Sequence, residues 1–137
     1  MKKLLFLPLV LLVSCDPYSH RINVKSDQDR AKIISDKFYA DLKSGDFEAA
    51  SQLCGGEASP KDAKDLLVKL NGDLGTLQET SYEDGKSDVT DSHKHTNGEI
   101  DLFFTATYDN AVRAEDIVFK FVNDSLKIAG YHSKDKK

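Results

Sequence analysis

At Gly75 the apolar pattern of this chain changes period, and that switch decides its fold class. Upstream, Ala31, Ile34, Phe38 and Leu42 recur at spacings of three and four, with Ile33 and Tyr39 widening the stripe, the signature of a helix with one buried face. Ser26 or Asp27 is the expected cap and Gly45 the expected end. Asp46 introduces a short second helix, Phe47 to Leu53, which Gly55-Gly56 stops. Ser59-Pro60 opens a third, because serine caps and proline at the first helical position already has a helical φ. Its expected buried stripe is Ala63, Leu66, Leu67 and Leu70, closed by Asn71-Gly72. Downstream the period is two. Leu77 to Glu83 reads as a first strand, although its alternation is weak. Ile100, Leu102, Phe104, Ala106 and Tyr108 alternate with more polar neighbours, and Ile117, Phe119 and Phe121 repeat the pattern. Asn123-Asp124 is a tight turn into a fourth strand, Leu126 to His132. The order predicts an α+β domain: three N-terminal helices packed on one face of a curved antiparallel sheet of about four strands.

Size and charge narrow the function. A chain of 137 residues holds one domain, and 23 acidic against 19 basic residues give a net charge of -4. A nucleic-acid binder normally carries a basic face, so nucleic acid is not an expected partner. The two cysteines could form a disulfide, act as a redox pair or be unrelated thiols.

The N-terminus sets the compartment. Lys2 and Lys3 precede an apolar run from Leu4 to Val13, too short to cross a hydrocarbon core that takes about 20 helical residues. It reads as a signal peptide over residues 1–14. Leu12-Val13-Ser14-Cys15 resembles the bacterial lipobox. That resemblance implies that Cys15 becomes the first mature residue and carries lipid, including a diacylglyceryl thioether and palmitate-type acyl chains. The protein would then sit on the outside of the cytoplasmic membrane, at its periplasmic face. Asp16 slightly favours the inner membrane, as in enterobacterial sorting. With Cys15 lipidated, Cys54 has no intramolecular partner and reads as a small buried apolar group. Removal of Met1 to Ser14 takes away two lysines and no acid, leaving 123 residues with a charge of -6. Residues 15–26 read as the lipidated cysteine and a tether, whose eleven residues from Asp16 reach at most about 35 to 40 Å. The domain is expected over 27–133, and 134–137 as a frayed tail.

Several strings within the domain resemble the cone-shaped, cystatin-like α+β superfamily of nuclear transport factors, ketosteroid isomerase and scytalone dehydratase. They are Phe38-Tyr39-x-x-Leu42-x-x-Gly45-Asp46-Phe47-x-x-Ala50, then Leu74-Gly75-x-Leu77, then Leu126-Lys127-Ile128-Ala129-Gly130-Tyr131. The resemblance implies a pocket between the sheet and the first helix, with Phe38, Tyr39, Leu102, Phe104, Tyr108, Phe119 and His132 as candidate lining residues. It also implies that two copies can pair through the sheet. The inward positions expected from the strands are almost all apolar, which departs from the enzymes of that superfamily. Tyr39 and Tyr108 read as buried rings with wet hydroxyls, and His132 as a strand-end residue.

Two further features carry chemistry in principle. His93 and His95 fall on one side of an extended segment and could share zinc or copper with help from Asp88, Asp91 or Glu99. A solvated loop is the plainer reading of Asp84 to Gly98, or an edge strand around Val89. The mixed charges from Lys25 to Glu48 read as a solvated helix face. No pattern asks for a cofactor. The expected function is a membrane-tethered, non-enzymatic binding or accessory domain for a protein partner or a small apolar ligand. The alternatives are a small lyase or isomerase in the same pocket, and a metal-binding lipoprotein using His93 and His95.

Overall fold

The computed structural model describes residues 18–137. The signal peptide, the lipobox, Cys15 and the start of the tether lie outside the described residues. A short strand β1 (Ser19–Ile22) comes first, then helices α1 (Lys25–Ser44), α2 (Phe47–Gln52) and α3 (Pro60–Leu74). Four long strands follow: β2 (Leu77–Asp91), β3 (Thr96–Tyr108), β4 (Val112–Val122) and β5 (Ser125–Asp135). The fold is α+β, with all strands antiparallel in one open sheet of order β1-β2-β3-β4-β5.

The sheet therefore has five strands where the sequence predicts about four, and the helices are not N-terminal to all of it. Residues 19–22 fall in the stretch expected as tether. The strand is short and polar but for Ile22, so no alternation announces it; what holds it is pairing of Ser19 with Asp91 and Ile22 with Asp88. The corner into α1 is made by Asn23, which adopts φ 53° and bonds Ser87 through both its backbone and its side chain. Helix α1 begins after Val24, whose apolar side chain offers no acceptor to the first turn, so neither Ser26 nor Asp27 is the cap; the Val24 N–H itself donates to Ser87 Oγ at 3.1 Å.

Most of the Asp84 to Gly98 stretch is strand and not loop, as the alternative reading around Val89 expects. Strand β2 runs through it to Asp91, paired with β3 throughout and with β1 over 88–91, so Val89 lies inside the sheet and not at its edge, and the chain turns back at 92–95. Its inward positions there include Gly85, Ser87 and Val89, too small or polar to show as an apolar period. Gly98 at φ 139° passes so close to β2 that a Cβ would lie 2.1 Å from the Asp88 carbonyl oxygen. Asn123 and Asp124 both have positive φ, the left-handed pair of a tight hairpin turn. The chain end is in the sheet as well: β5 reaches Asp135, and Lys136 N–H bonds Val112 O at 3.2 Å, so 134–137 is not wholly a frayed tail.

Helix α1 lies against β2 and β3. It buries Ala31, Phe38, Tyr39 and Leu42 on the inward side chains of the sheet, Leu77, Val89, Ile100, Leu102, Phe104, Ile117, Phe119 and Ile128. Ile33 does not widen that stripe and is 70% exposed. The opposite face of α1 carries Lys25–Asp29, Lys32–Asp36 and Lys37–Asp41 pairs four residues apart, as its charge pattern predicts. Helix α3 opens with Ser59 Oγ accepting from the Asp62 N–H, as its sequence predicts, but it runs past Asn71-Gly72 to Leu74. Only Leu67 of its expected stripe is fully buried, and Leu66 is 45% exposed. Helix α3 leans on α2 and stands off the sheet.

Candidate functional site

The gap beneath α3 is a cavity of about 160 Å³. One wall is Ala63, Leu66 and Leu67 of α3; the other is Ile128, Gly130 and Tyr131 of β5, with Phe38 of α1 at the back. Asp62 at its rim is tied to the cap, accepting from Ser59 Oγ at 2.7 Å. The segment after α2 makes the floor. Leu53 O accepts from Ile128 N–H at 3.0 Å and Gly55 N–H donates to Ile128 O at 2.9 Å, which ties this turn to the outer strand and brings Cys54 into the cavity. Burial pushes the Cys54 thiol up to about 11, so it is a thiol rather than a nucleophile at neutral pH, in keeping with its reading as an apolar group.

Behind Tyr131 lies the feature that sequence reading missed. Glu115 of β4 points inward and is 2% exposed. Its Oε2 accepts from the Tyr39 hydroxyl at 2.9 Å, and its Oε1 accepts from the Tyr108 hydroxyl at 2.8 Å and from Ser133 Oγ at 3.1 Å. The Tyr131 hydroxyl completes the cluster at 3.2 Å from that of Tyr108. Burial, then the neighbouring carboxylate, holds Tyr39, Tyr108 and Tyr131 well above the usual tyrosine range. The two tyrosine hydroxyls are thus spent on a carboxylate and are not wet. Extending the Ile117, Phe119, Phe121 alternation by one step reaches Glu115, so the position was legible even though its partners were not. Tyr131 enters through a bulge at Val118/Phe119, which pairs Gly130 with Val118 and Ile128 with Phe119 and resets the face of β5.

The candidate lining residues divide. Phe38 lines the cavity, and Tyr39 and Tyr108 belong to the carboxylate cluster. Leu102, Phe104 and Phe119 are packed into the core away from the cavity. His132 is on the other face of the sheet, exposed, with Nδ1 3.5 Å from Asp116. That parity follows from its place beside Asp116, between the inward pairs made by Tyr131 and Ser133.

The face away from the helices holds a wider, ionic cleft of about 460 Å³, bordered by Phe103, Asp116, His132 and Lys134. Asp101 and Asp116 on that face each bury one carboxylate oxygen with no hydrogen-bond partner among the described residues. Burial, then Glu99 and Asp116, raises the Asp101 pKa. His93 and His95 sit in the exposed turn between β2 and β3, where His95 faces Asp124 at 3.8 Å. Among the described residues no group of three or more His, Cys, Asp or Glu side chains is placed to hold a metal ion. No described helix is long and apolar enough to cross a membrane.

The fold and site define an α+β domain with an apolar cavity beside a closed carboxylate–tyrosine cluster. The chain matches no protein-family model, no curated protein and no solved structure.

Proposed function

We propose that this chain is a membrane-tethered envelope lipoprotein whose domain binds a small apolar ligand in the cavity between α3 and β5, without catalysing a reaction on it. The observation that carries the reading is the cavity itself: about 160 Å³ with walls of leucine, isoleucine, alanine and phenylalanine. An enclosed apolar cavity of similar volume accepts benzene, and this space, which is open at the rim formed by Asp62 and the half-exposed Leu66, is comparable in size and lining. The helix order and the strings around Phe38, Leu74 and Leu126 support the cone-like resemblance, and pairing of two copies through the sheet rests on that resemblance alone. The anchor rests on Leu12-Val13-Ser14-Cys15. Cys15→Ala is expected to lose labelling by a palmitate analogue and to leave the membrane fraction; continued labelling refutes the anchor.

Benzene is the probe for the cavity. A ligand of six heavy atoms is expected to bind with a Kd on the order of 1 mM. Ala63→Phe, which places a ring in the cavity from the α3 side, is expected to weaken binding at least tenfold while the far-ultraviolet spectrum is unchanged. Equal binding by the variant refutes this location.

A second reading has one observation in its favour. Glu115 and three tyrosines converge inside the domain, so the ionisable groups that a small lyase or isomerase needs are present. Against it, both Glu115 oxygens already accept hydrogen bonds from protein hydroxyls and the side chain is closed off from solvent. A general base must reach the proton that it removes. The binding reading needs no such opening.

A further inference from the structure

The geometry points to the lipid bilayer surface as the partner of one end of the sheet, the end made by the β2–β3 turn at 92–95 and the β4–β5 turn at Asn123-Asp124. This rests on the anchor reading above and specifies how the anchored domain sits. The sequence predicts eleven tether residues from Asp16, but β1 takes Ser19 into the sheet and leaves only Asp16, Pro17 and Tyr18 between Cys15 and the first strand. Four residue steps of at most about 3.6 Å keep Cys15 within about 14 Å of Ser19. Peeling β1 from the sheet would lengthen that leash, but Arg21 holds Asp27 and Asp91, and Asn23 holds Ser87 through backbone and side chain. The short reach is therefore built into the fold.

The direction of β1 decides which end is held down. It runs antiparallel to β2 with Ser19 opposite Asp91, the last residue of β2, so the chain enters the domain at the level of the 92–95 turn. Thr96 N–H donates to Asp124 Oδ1 at 2.8 Å, which sets the β4–β5 turn beside it. The turn between β3 and β4 lies at the other end of β3, 13 residues and about 40 Å away. Resting that far end on the headgroups would lift Ser19 about 40 Å from them, beyond the reach of the leash. The side chains at the near end suit a headgroup layer. Tyr18 is 69% exposed, an aromatic ring with a polar tip of the kind that settles at membrane interfaces. Ser92, His93, Lys94 and His95 are exposed and include no acid. The two acids beside them are engaged within the protein, Asp91 by Arg21 and Asp124 by the Thr96 N–H. Lys94 is left to meet anionic headgroups, which attract lysine near the surface.

The test uses the lipidated chain in vesicles of phosphatidylethanolamine and phosphatidylglycerol that carry a nitroxide quencher on the headgroup. A fluorophore is placed on His93→Cys at the near end or on Asn110→Cys at the far end; Cys54 is buried and does not compete for the label. Quenching at 93 is expected to be at least fivefold that at 110. A Gly-Ser insert of about twelve residues after Pro17 is expected to cut that ratio at least by half. Similar quenching at both positions, or more at 110, overturns the docking face, while incorporation of a palmitate analogue by the same protein leaves the anchor standing. An unchanged ratio in the insert variant overturns the short leash as its cause. Failure of the native chain to take up the palmitate analogue overturns the anchor and this inference together.

Discussion

Glu115→Leu is expected to destabilise the domain by about 4 kcal/mol, from the loss of hydrogen bonds to a charged acceptor and the burial of hydroxyls left without one. For a domain near this size that is a fall in Tm of about 15 °C. The loss is not shared evenly. Among the described residues the Tyr39 hydroxyl has Glu115 as its one side-chain partner, whereas Tyr108 can turn its proton to the Tyr131 oxygen and the partly buried Ser133, whose Oγ only accepts from Arg113 Nε at 3.1 Å, can turn its proton to water. Tyr39 should therefore account for most of the penalty. Combining Glu115→Leu with Tyr39→Phe removes the stranded donor together with its acceptor, and about half of the stability should return, measured by urea unfolding of the four members of the cycle. A strictly additive cycle would mean that Tyr39 and Glu115 do not depend on each other, contrary to the 2.9 Å bond that joins α1 to β4.

The second large effect is at the opposite edge of the sheet. Asp27 in the first turn of α1 is 3% exposed, and Arg21 of β1 clasps it with two parallel bonds, Nε to Oδ2 at 3.0 Å and Nη2 to Oδ1 at 3.1 Å. The third arm of the guanidinium reaches Asp91 of β2. One side chain thus links the first strand, the first helix and the second strand. Arg21→Ala leaves a buried carboxylate without its counter-charge, a change that typically costs about 3 to 5 kcal/mol. The lower end applies here, because the Arg21 side chain is 25% exposed and water reaches the pair from that side. A loss of about 3 kcal/mol is expected. Arg21→Lys, which keeps the charge but not the fork, should lose about half of that. Hydrogen exchange should show the loss concentrated in β1 and in residues 88–91 that pair with it. A uniform loss across the sheet would contradict the clasp.

These two sites show which parts of the fold were legible. The helix stripe of α1, the Ser59-Pro60 start of α3, the alternation of β3 and the Asn123-Asp124 turn are local signals, written within about ten residues and reproduced in the structure. Strand β1 could not be read that way. It is four residues, three of them polar, held by the Arg21 clasp and by pairing with a strand nearly seventy positions away, so its stability is entirely tertiary. The second half of β2 was obscured because Gly85 and Ser87 occupy inward places where apolar residues would have shown a period. Ser87 is buried because its hydroxyl has a use, accepting from Val24 N–H. Leu66 and Leu67 of α3 read alike in sequence, and only the stand-off of the helix separates a buried residue from a rim residue. Glu115 was one step beyond a visible alternation, but three hydroxyl partners from α1, β3 and β5 have no common spacing in the chain.

The proposed function stands or falls on whether the space under α3 takes a small apolar molecule. The most direct measurement is a set of intermolecular nuclear Overhauser effects from bound benzene to the methyl groups of the lipid-free domain. Saturable one-to-one binding is expected, with contacts to Ala58, Ala63, Leu67 and Ile128 and none to Ala114 or Val118 on the far face of the sheet. No saturable binding up to the solubility of benzene, or contacts on that far face alone, would contradict it.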